Sequence, residues 1–232
     1  FKQKTAYEIR LSLVGSEMCI RDRVEGAAHE AGRGLSIWDT FCYEGGHVLN
    51  NETGDVACDH YHRFHSDIQL MKRLNLQAYR FSISWSRILP SGYAGKNRLF
   101  NQAGIDFYNQ LIDALIQNDI EPWITLFHWD LPQHLQDDVD GWLDSSGQGT
   151  IVDAFGDYAR TCFEAFGDRV KHWITLNEPW TVAVHGHNDG IKAPGRSHKA
   201  PMKHTLPLTI NFWPMPKRRQ STMTSMHPNK GA

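Results

Sequence analysis

Hydrophobic positions along the chain follow two alternating periods. Three stretches are near-continuous runs of β-forming residues: LQAYRFSIS (76–84), PWITLFHW (122–129) and HWITLNEP (172–179). Each is short and bounded by loop or turn residues, as buried strands are. Between them, apolar residues recur every three or four positions. Residues 59–75 align Phe64, Ile68, Met71 and Leu74; residues 101–118 align Ile105, Tyr108, Ile112 and Leu115; residues 151–166 align Phe155, Ala159, Cys162 and Phe166. These spacings predict amphipathic helices, with Asp59 and Asn101 as N-caps of the first two.

The order is helix then strand, three times over. Hydrophobic strands alternating with helices predict a parallel sheet covered by helices. Polar residues interrupt the strands late: Arg80, His128 and Glu178, spaced 48 and 50 residues apart. Each repeat then delivers a functional group to the same edge of the sheet. A (β/α)8 barrel builds its site in this way, at the C-terminal ends of several strands. A doubly wound sheet would typically carry a Gly-rich phosphate loop after its first strand, and no such loop occurs. The expected fold class is α/β: the N-terminal part of a (β/α)8 TIM barrel, incomplete, with three clear strand–helix units.

Composition narrows the function classes. A net charge of −2 gives no electrostatic case for nucleic acid or an anionic membrane surface. No apolar run approaches the roughly 18 residues of a membrane span. The longest apolar stretch near the N-terminus, LSLV, is too short for the core of a signal peptide. The four cysteines, Cys19, Cys42, Cys58 and Cys162, form no CxxC pair, so neither a zinc ribbon nor a redox motif is present. Eight Trp and eleven Phe give a rich aromatic supply, used most often for packing and sometimes to line sugar sites.

The candidate chemistry sits at the strand ends. Glu178 precedes Pro179, and a residue before proline is pushed toward extended geometry. That suits the last residue of a strand with its carboxyl aimed into a barrel mouth; capping of the next helix is the plainer alternative. His128 and Trp129 close the preceding strand in FHWDLP, where packing is again the plain reading, and HWDLPQH is not a zinc-protease motif. Arg80 interrupts an otherwise hydrophobic strand. A buried guanidinium demands an anionic partner, either a structural carboxylate or a catalytic one that must stay ionised.

Taken in order, the segments resemble the family 1 glycoside hydrolases, the β-glucosidases and their relatives. The matching stretches are VEGAAHEAGRGLSIWDTF (24–41), GDVACDHYHRFHSDIQLMKRLNLQAYRFSISWSRILPSG (54–92), NQAGIDFYNQLIDALIQNDIEPWITLFHWDLPQ (101–133), FGDRVKHWITLNEPW (166–180) and APGR (193–196). The resemblance implies that Glu178 is the general acid/base and that Asn177 hydrogen-bonds the sugar 2-hydroxyl. It implies that His128 and Trp129 are walls of the glycone subsite, and that Arg80 is the cation beside the nucleophile. Retaining hydrolysis uses two carboxyls about 5–5.5 Å apart, one protonated and one ionised.

Two departures from the family set the expected boundaries. Arg23 stands where the family has a sugar-contacting glutamine at the end of its first strand, and residues 1–23 read as a foreign extension. Past APGR the family continues through a segment like EPYxxxHNxLLAHAxA. The codons for Asn211 to Lys217, read from their third bases, allow Leu-Leu-Ala-His-Ala-Lys, which points to a change of frame in the region of residues 196 to 202. The expected organisation is thus 1–23 extension, 24–197 partial glycoside hydrolase barrel, and 198–232 an out-of-frame, disordered tail. The expected function is retaining hydrolysis of O-glycosidic bonds, β-glucosidase type, by a fragment without its nucleophile. The partner is a small-molecule β-glycoside, with no cofactor, metal, nucleic acid or membrane. The alternatives are a non-catalytic relative that binds carbohydrate or protein, and a barrel enzyme using Glu178 to abstract a proton.

Overall fold

In the computed structural model, residues 24–95 and 100–197 are described. The readings for 1–23 and 198–232 lie outside the described residues. The three hydrophobic runs form strands β1 (Ala78–Ser82), β2 (Glu121–Phe127) and β3 (His172–Leu176). They pair in the order β1-β2-β3, both pairs parallel, with Arg80 opposite Trp123 and Trp123 opposite His172.

Among the described residues the helices are α1 (Ile37–Tyr43), α2 (His60–Arg73), α3 (Trp85–Ile88), α4 (Gln102–Gln117), α5 (Gln133–Val139), α6 (Thr150–Phe166) and α7 (Pro179–Thr181), of which α2, α4 and α6 follow the expected periodicity. On α4, Ile105, Tyr108, Ile112 and Leu115 are all buried, and on α6 so are Ala159, Cys162 and Phe166. Burying a large apolar side chain contributes about 1.5–3 kcal/mol, so these rows hold the helices on the sheet more than propensity does. On α2, Phe64, Ile68 and Met71 are buried, but Leu74 is half exposed, because the helix ends at Arg73 and Leu74 caps it.

The two expected N-caps occupy the right positions without capping. Asp59 has a left-handed backbone (φ 56°), and its carboxylate bonds His62 Nδ1 at 2.6 Å instead of a helix N–H. Asn101 donates its amide to the carbonyls of Ala31 and Arg87, tying α4 to two other segments. The full cap belongs to α1, where Ser36 accepts from Asp39 N and Asp39 accepts from Ser36 N at 2.6 Å.

Two buried polar clusters lock the frame. Arg87, at the turn out of β1, is fully buried and donates from Nε to Glu25 Oε1 at 2.6 Å. Tyr108 donates to the other oxygen of Glu25 at 2.7 Å, while Arg87 also reaches the Ala27 carbonyl at 3.1 Å. The segment from Val24 is thereby fastened to α3 and α4. Close approach is needed here: a Cβ on Gly104 would stand 2.3 Å from the Arg87 carbonyl. In the second cluster, Tyr158 on α6 donates to the carbonyls of Ile83 (3.0 Å) and Leu126 (2.9 Å), bracing the C-terminal ends of β1 and β2. Burial pushes its phenol well above the ordinary value, so it remains a donor. Burial also pushes up the nearby Cys162 thiol, which stays protonated and unreactive.

Candidate active site

The C-terminal ends of β2 and β3 meet through Asn177. Its backbone N–H donates to the Phe127 carbonyl at 2.9 Å, one residue beyond the last paired residue of β3. Its carbonyl accepts from Trp129 Nε1 at 2.9 Å. Its side-chain Oδ1 accepts from Arg80 Nη2 at 2.5 Å. Three of the residues singled out from the sequence are thus joined at one buried residue, Trp129 at the backbone and Arg80 at the side chain of Asn177. His128 packs edge-on against Trp129 with ring centroids 5.4 Å apart, and both are buried.

Arg80 departs from its expected setting. It lies in the middle of β1, not at its end, and it is exposed rather than buried. Its partners are neutral: Nε donates to Thr125 Oγ1 at 3.0 Å and Nη2 to Asn177. A guanidinium that remains in water needs no counter-charge, so two oxygen acceptors suffice to aim it toward the strand ends. Thr125 is fully buried and was not singled out from the sequence. The signal was there, since the two-residue strand period puts it on the face of Trp123, the register partner of Arg80.

Glu178 also differs from the expected extended geometry. It has φ 43° and ψ 63°, a left-handed conformation, and sits at the N-cap position of α7 without capping it. The strand ends at Leu176, and the chain must turn within two residues into a helix that begins with proline. Pro179 at N1 suits the start of the helix, and the Glu178 carboxyl accepts no backbone N–H of α7. Such a backbone is strained for a residue other than glycine and needs support from its surroundings. The support comes from backbone bonds of Thr181 N (3.0 Å) and Val182 N (3.3 Å) to the Glu178 carbonyl. The carboxyl itself is exposed, and its Oε2 accepts from Thr181 Oγ1 at 3.1 Å.

A rim of aromatic and cationic groups borders this point. Lys192 Nζ lies 4.7 Å from the centre of the Trp129 ring, and its backbone N–H bonds the His185 carbonyl at 3.0 Å. His185 pairs with Asp189 at 2.7 Å and meets the exposed Trp180 edge-on. A cavity of about 520 Å³ opens on the far side of Lys192, between α1, the 47–57 loop and Ile191. None of Arg80, His128, Trp129, Asn177 or Glu178 lines it, so the cavity adjoins the strand-end constellation without being it.

The other described glutamates are engaged elsewhere, with Glu44 at the C-cap of α1 and Glu52 on the 47–57 loop. Glu25 serves Arg87, Glu30 bonds His62, Glu121 begins β2 beside His172, and Glu164 is on α6. Glu178 alone among them stands at the C-terminal end of a strand. Among the described residues no group of three His, Cys, Asp or Glu side chains could hold a metal ion. No described helix is long and apolar enough to cross a membrane.

Comparison with known proteins decides the lineage. The model of Glycosyl hydrolase family 1 matches residues 20–211. The chain belongs to glycosyl hydrolase family 1. Among curated family 1 relatives, Beta-glucosidase 6 of Oryza sativa subsp. japonica is 58% identical over 172 residues, covering 74% of this chain and 32% of the rice protein. The 1,4-beta-D-glucan glucohydrolase of Thermotoga neapolitana is 51% identical over 184 residues, covering 79% of this chain and 41% of its own. The crystal structure of a rice Os3BGlu6 β-glucosidase superposes with a TM-score of 0.75 at 52% identity, covering 82% of this chain and 40% of the rice one. The chain spans about a third of the length of the first curated relatives it matches. Its three parallel strands and their helices are accordingly part of a family 1 TIM barrel.

Proposed function

We propose that this chain carries the acid/base half of a retaining β-glucosidase-type site acting on small-molecule β-glycosides. Glu178 protonates the departing glycosidic oxygen and later takes a proton from the attacking water. The observation that carries the reading is Asn177. Its Oδ1 is occupied by Arg80, which leaves the Nδ2 hydrogens to donate to the sugar 2-hydroxyl, a bond that strengthens in an oxocarbenium-like transition state. Trp129, fixed to the Asn177 carbonyl, and His128 against it form the wall of the glycone subsite. Arg80 orients Asn177 and holds positive charge toward the place a nucleophile carboxylate occupies in this chemistry. A rice Os3BGlu6 mutant solved in a covalent complex with Glc lends support, since a covalent sugar is what a retaining route forms.

The reaction needs a second carboxyl on the other face of the sugar, and no other described glutamate stands at the C-terminal end of a strand. We therefore expect the 232-residue chain by itself to give no turnover of an aryl β-glucoside above background. The decisive experiment puts residues 24–197 in place of the matching segment of the rice Beta-glucosidase 6. In that hybrid, Glu178→Gln is expected to slow hydrolysis of alkyl β-glucosides by about two to four orders of magnitude. A hybrid indifferent to this substitution would refute the assignment of Glu178.

A further inference from the structure

Thr181 makes two bonds to the same residue. Its N–H donates to the Glu178 carbonyl at 3.0 Å, and its Oγ1 donates to Glu178 Oε2 at 3.1 Å. One threonine thus supports the strained backbone of Glu178 and grips its carboxyl. The other oxygen, Oε1, has no bond to Thr181. Pro179 supplies no N–H and Trp180 points its ring at His185, so neither of the two intervening residues offers the carboxyl a side-chain donor.

We infer that Thr181 is a positioning residue for the acid/base, holding Oε2 so that Oε1 exchanges the proton with the glycosidic oxygen. This rests on the reading of Glu178 proposed above. The chemistry is asymmetric. When Glu178 gives up its proton, its carboxyl becomes an anion, and a hydroxyl bond to an anion is roughly twice as strong as one to a neutral group. The Thr181 bond therefore strengthens as the proton leaves for the glycosidic oxygen and the C–O bond breaks. Only interactions stronger in the transition state than in the ground state accelerate the step. Substrates whose leaving group needs protonation depend on Thr181, and substrates with a very acidic leaving group do not.

Two measurements test this. In the 232-residue chain labelled with 13Cδ-glutamate, the Glu178 carboxyl resonance is identified by its loss in Glu178→Gln. It is expected to move in Thr181→Val, which keeps the backbone N–H, and to return in Thr181→Ser. An unmoved resonance in both Thr181→Val and Thr181→Ala overturns the proposal. In the hybrid with the rice barrel, Thr181→Val is expected to lower kcat/KM for a methyl or alkyl β-glucoside about tenfold, the scale of one hydrogen bond to a charged group. The value for 2,4-dinitrophenyl β-glucoside should change less than twofold, and Thr181→Ser should restore the alkyl rate. Equal losses on both substrates would mean a merely structural threonine and sink the inference. Glu178→Gln separates the two levels: if it spares the alkyl substrate, the acid reading itself fails, whereas a slow Glu178→Gln beside a normal Thr181→Val removes Thr181 alone.

Discussion

Arg87 shows how much a single residue organises. Its guanidinium is fully buried, bonded to Glu25 and to carbonyls of the 26–30 segment, and lies 4.5 Å over the Tyr61 ring. Removing one member of such a pair strands the other charge out of water. Arg87→Met is expected to destabilise the chain by about 3–5 kcal/mol, read as a fall in the urea midpoint. Adding Glu25→Leu to it should recover much of that loss, because the orphaned carboxylate goes too. The same physics explains why Arg80 was harder to read. An arginine in a hydrophobic strand looks buried and ion-paired on paper, and Arg87 a few residues on is so. Arg80 instead reaches neutral oxygens from an exposed position. Which arginine meets a carboxylate depends on Glu25, distant in sequence and marked by no periodicity.

At the scale of elements, the join between the 24–33 segment and α2 depends on pH. His62 bonds Asp59 at 2.6 Å and Glu30 at 3.0 Å. The bond to Asp59 raises the His62 pKa above 6.5, against an opposing effect of burial and with help from the bond to Glu30. A histidine with a raised folded pKa contributes its full stability below the unfolded value of 6.5 and loses it as pH climbs through the higher folded value. Melting temperature should therefore decline from pH 6 upward across that window, and His62→Gln should flatten the decline. The pair is half exposed, so the effect is below about 1 kcal/mol. The long elements were legible because their signal is repetition: β1, β2, α2, α4 and α6 lie within two residues of the hydrophobic pattern, and β3 stops three residues short of it. The short α1, α3 and α7 span too few turns to show a period. Glu178 was placed correctly in sequence but in the wrong backbone state, since the proline rule speaks for extended geometry and the turn into α7 overrides it.

The molecule as a whole presents open sheet edges. Among the described residues β1 and β3 each pair on one side only, and Trp123 on β2 is exposed beside Arg80. Unpaired edges are templates for further strands. The chain is expected to associate as its concentration rises, seen in sedimentation velocity as a growing weight-average mass. Thr175→Lys, a charge on exposed edge strand β3, should raise the monomer share. A monodisperse monomer at all concentrations would contradict this.

Asn177 carries a consequence in time. Its bond to Arg80 joins residues 97 apart in the chain, and its bond to Trp129 joins residues 48 apart. Contacts of that span close large loops before they return any energy, and parallel pairings of this kind are slow to form. Turns of helix such as those of α4 and α6 form from local contacts on a much shorter timescale, and packing on the sheet then holds them. A partly folded chain can thus form helical turns while Arg80, Trp129 and Asn177 stand apart, and the strand-end constellation comes into being only as the last strand joins the sheet.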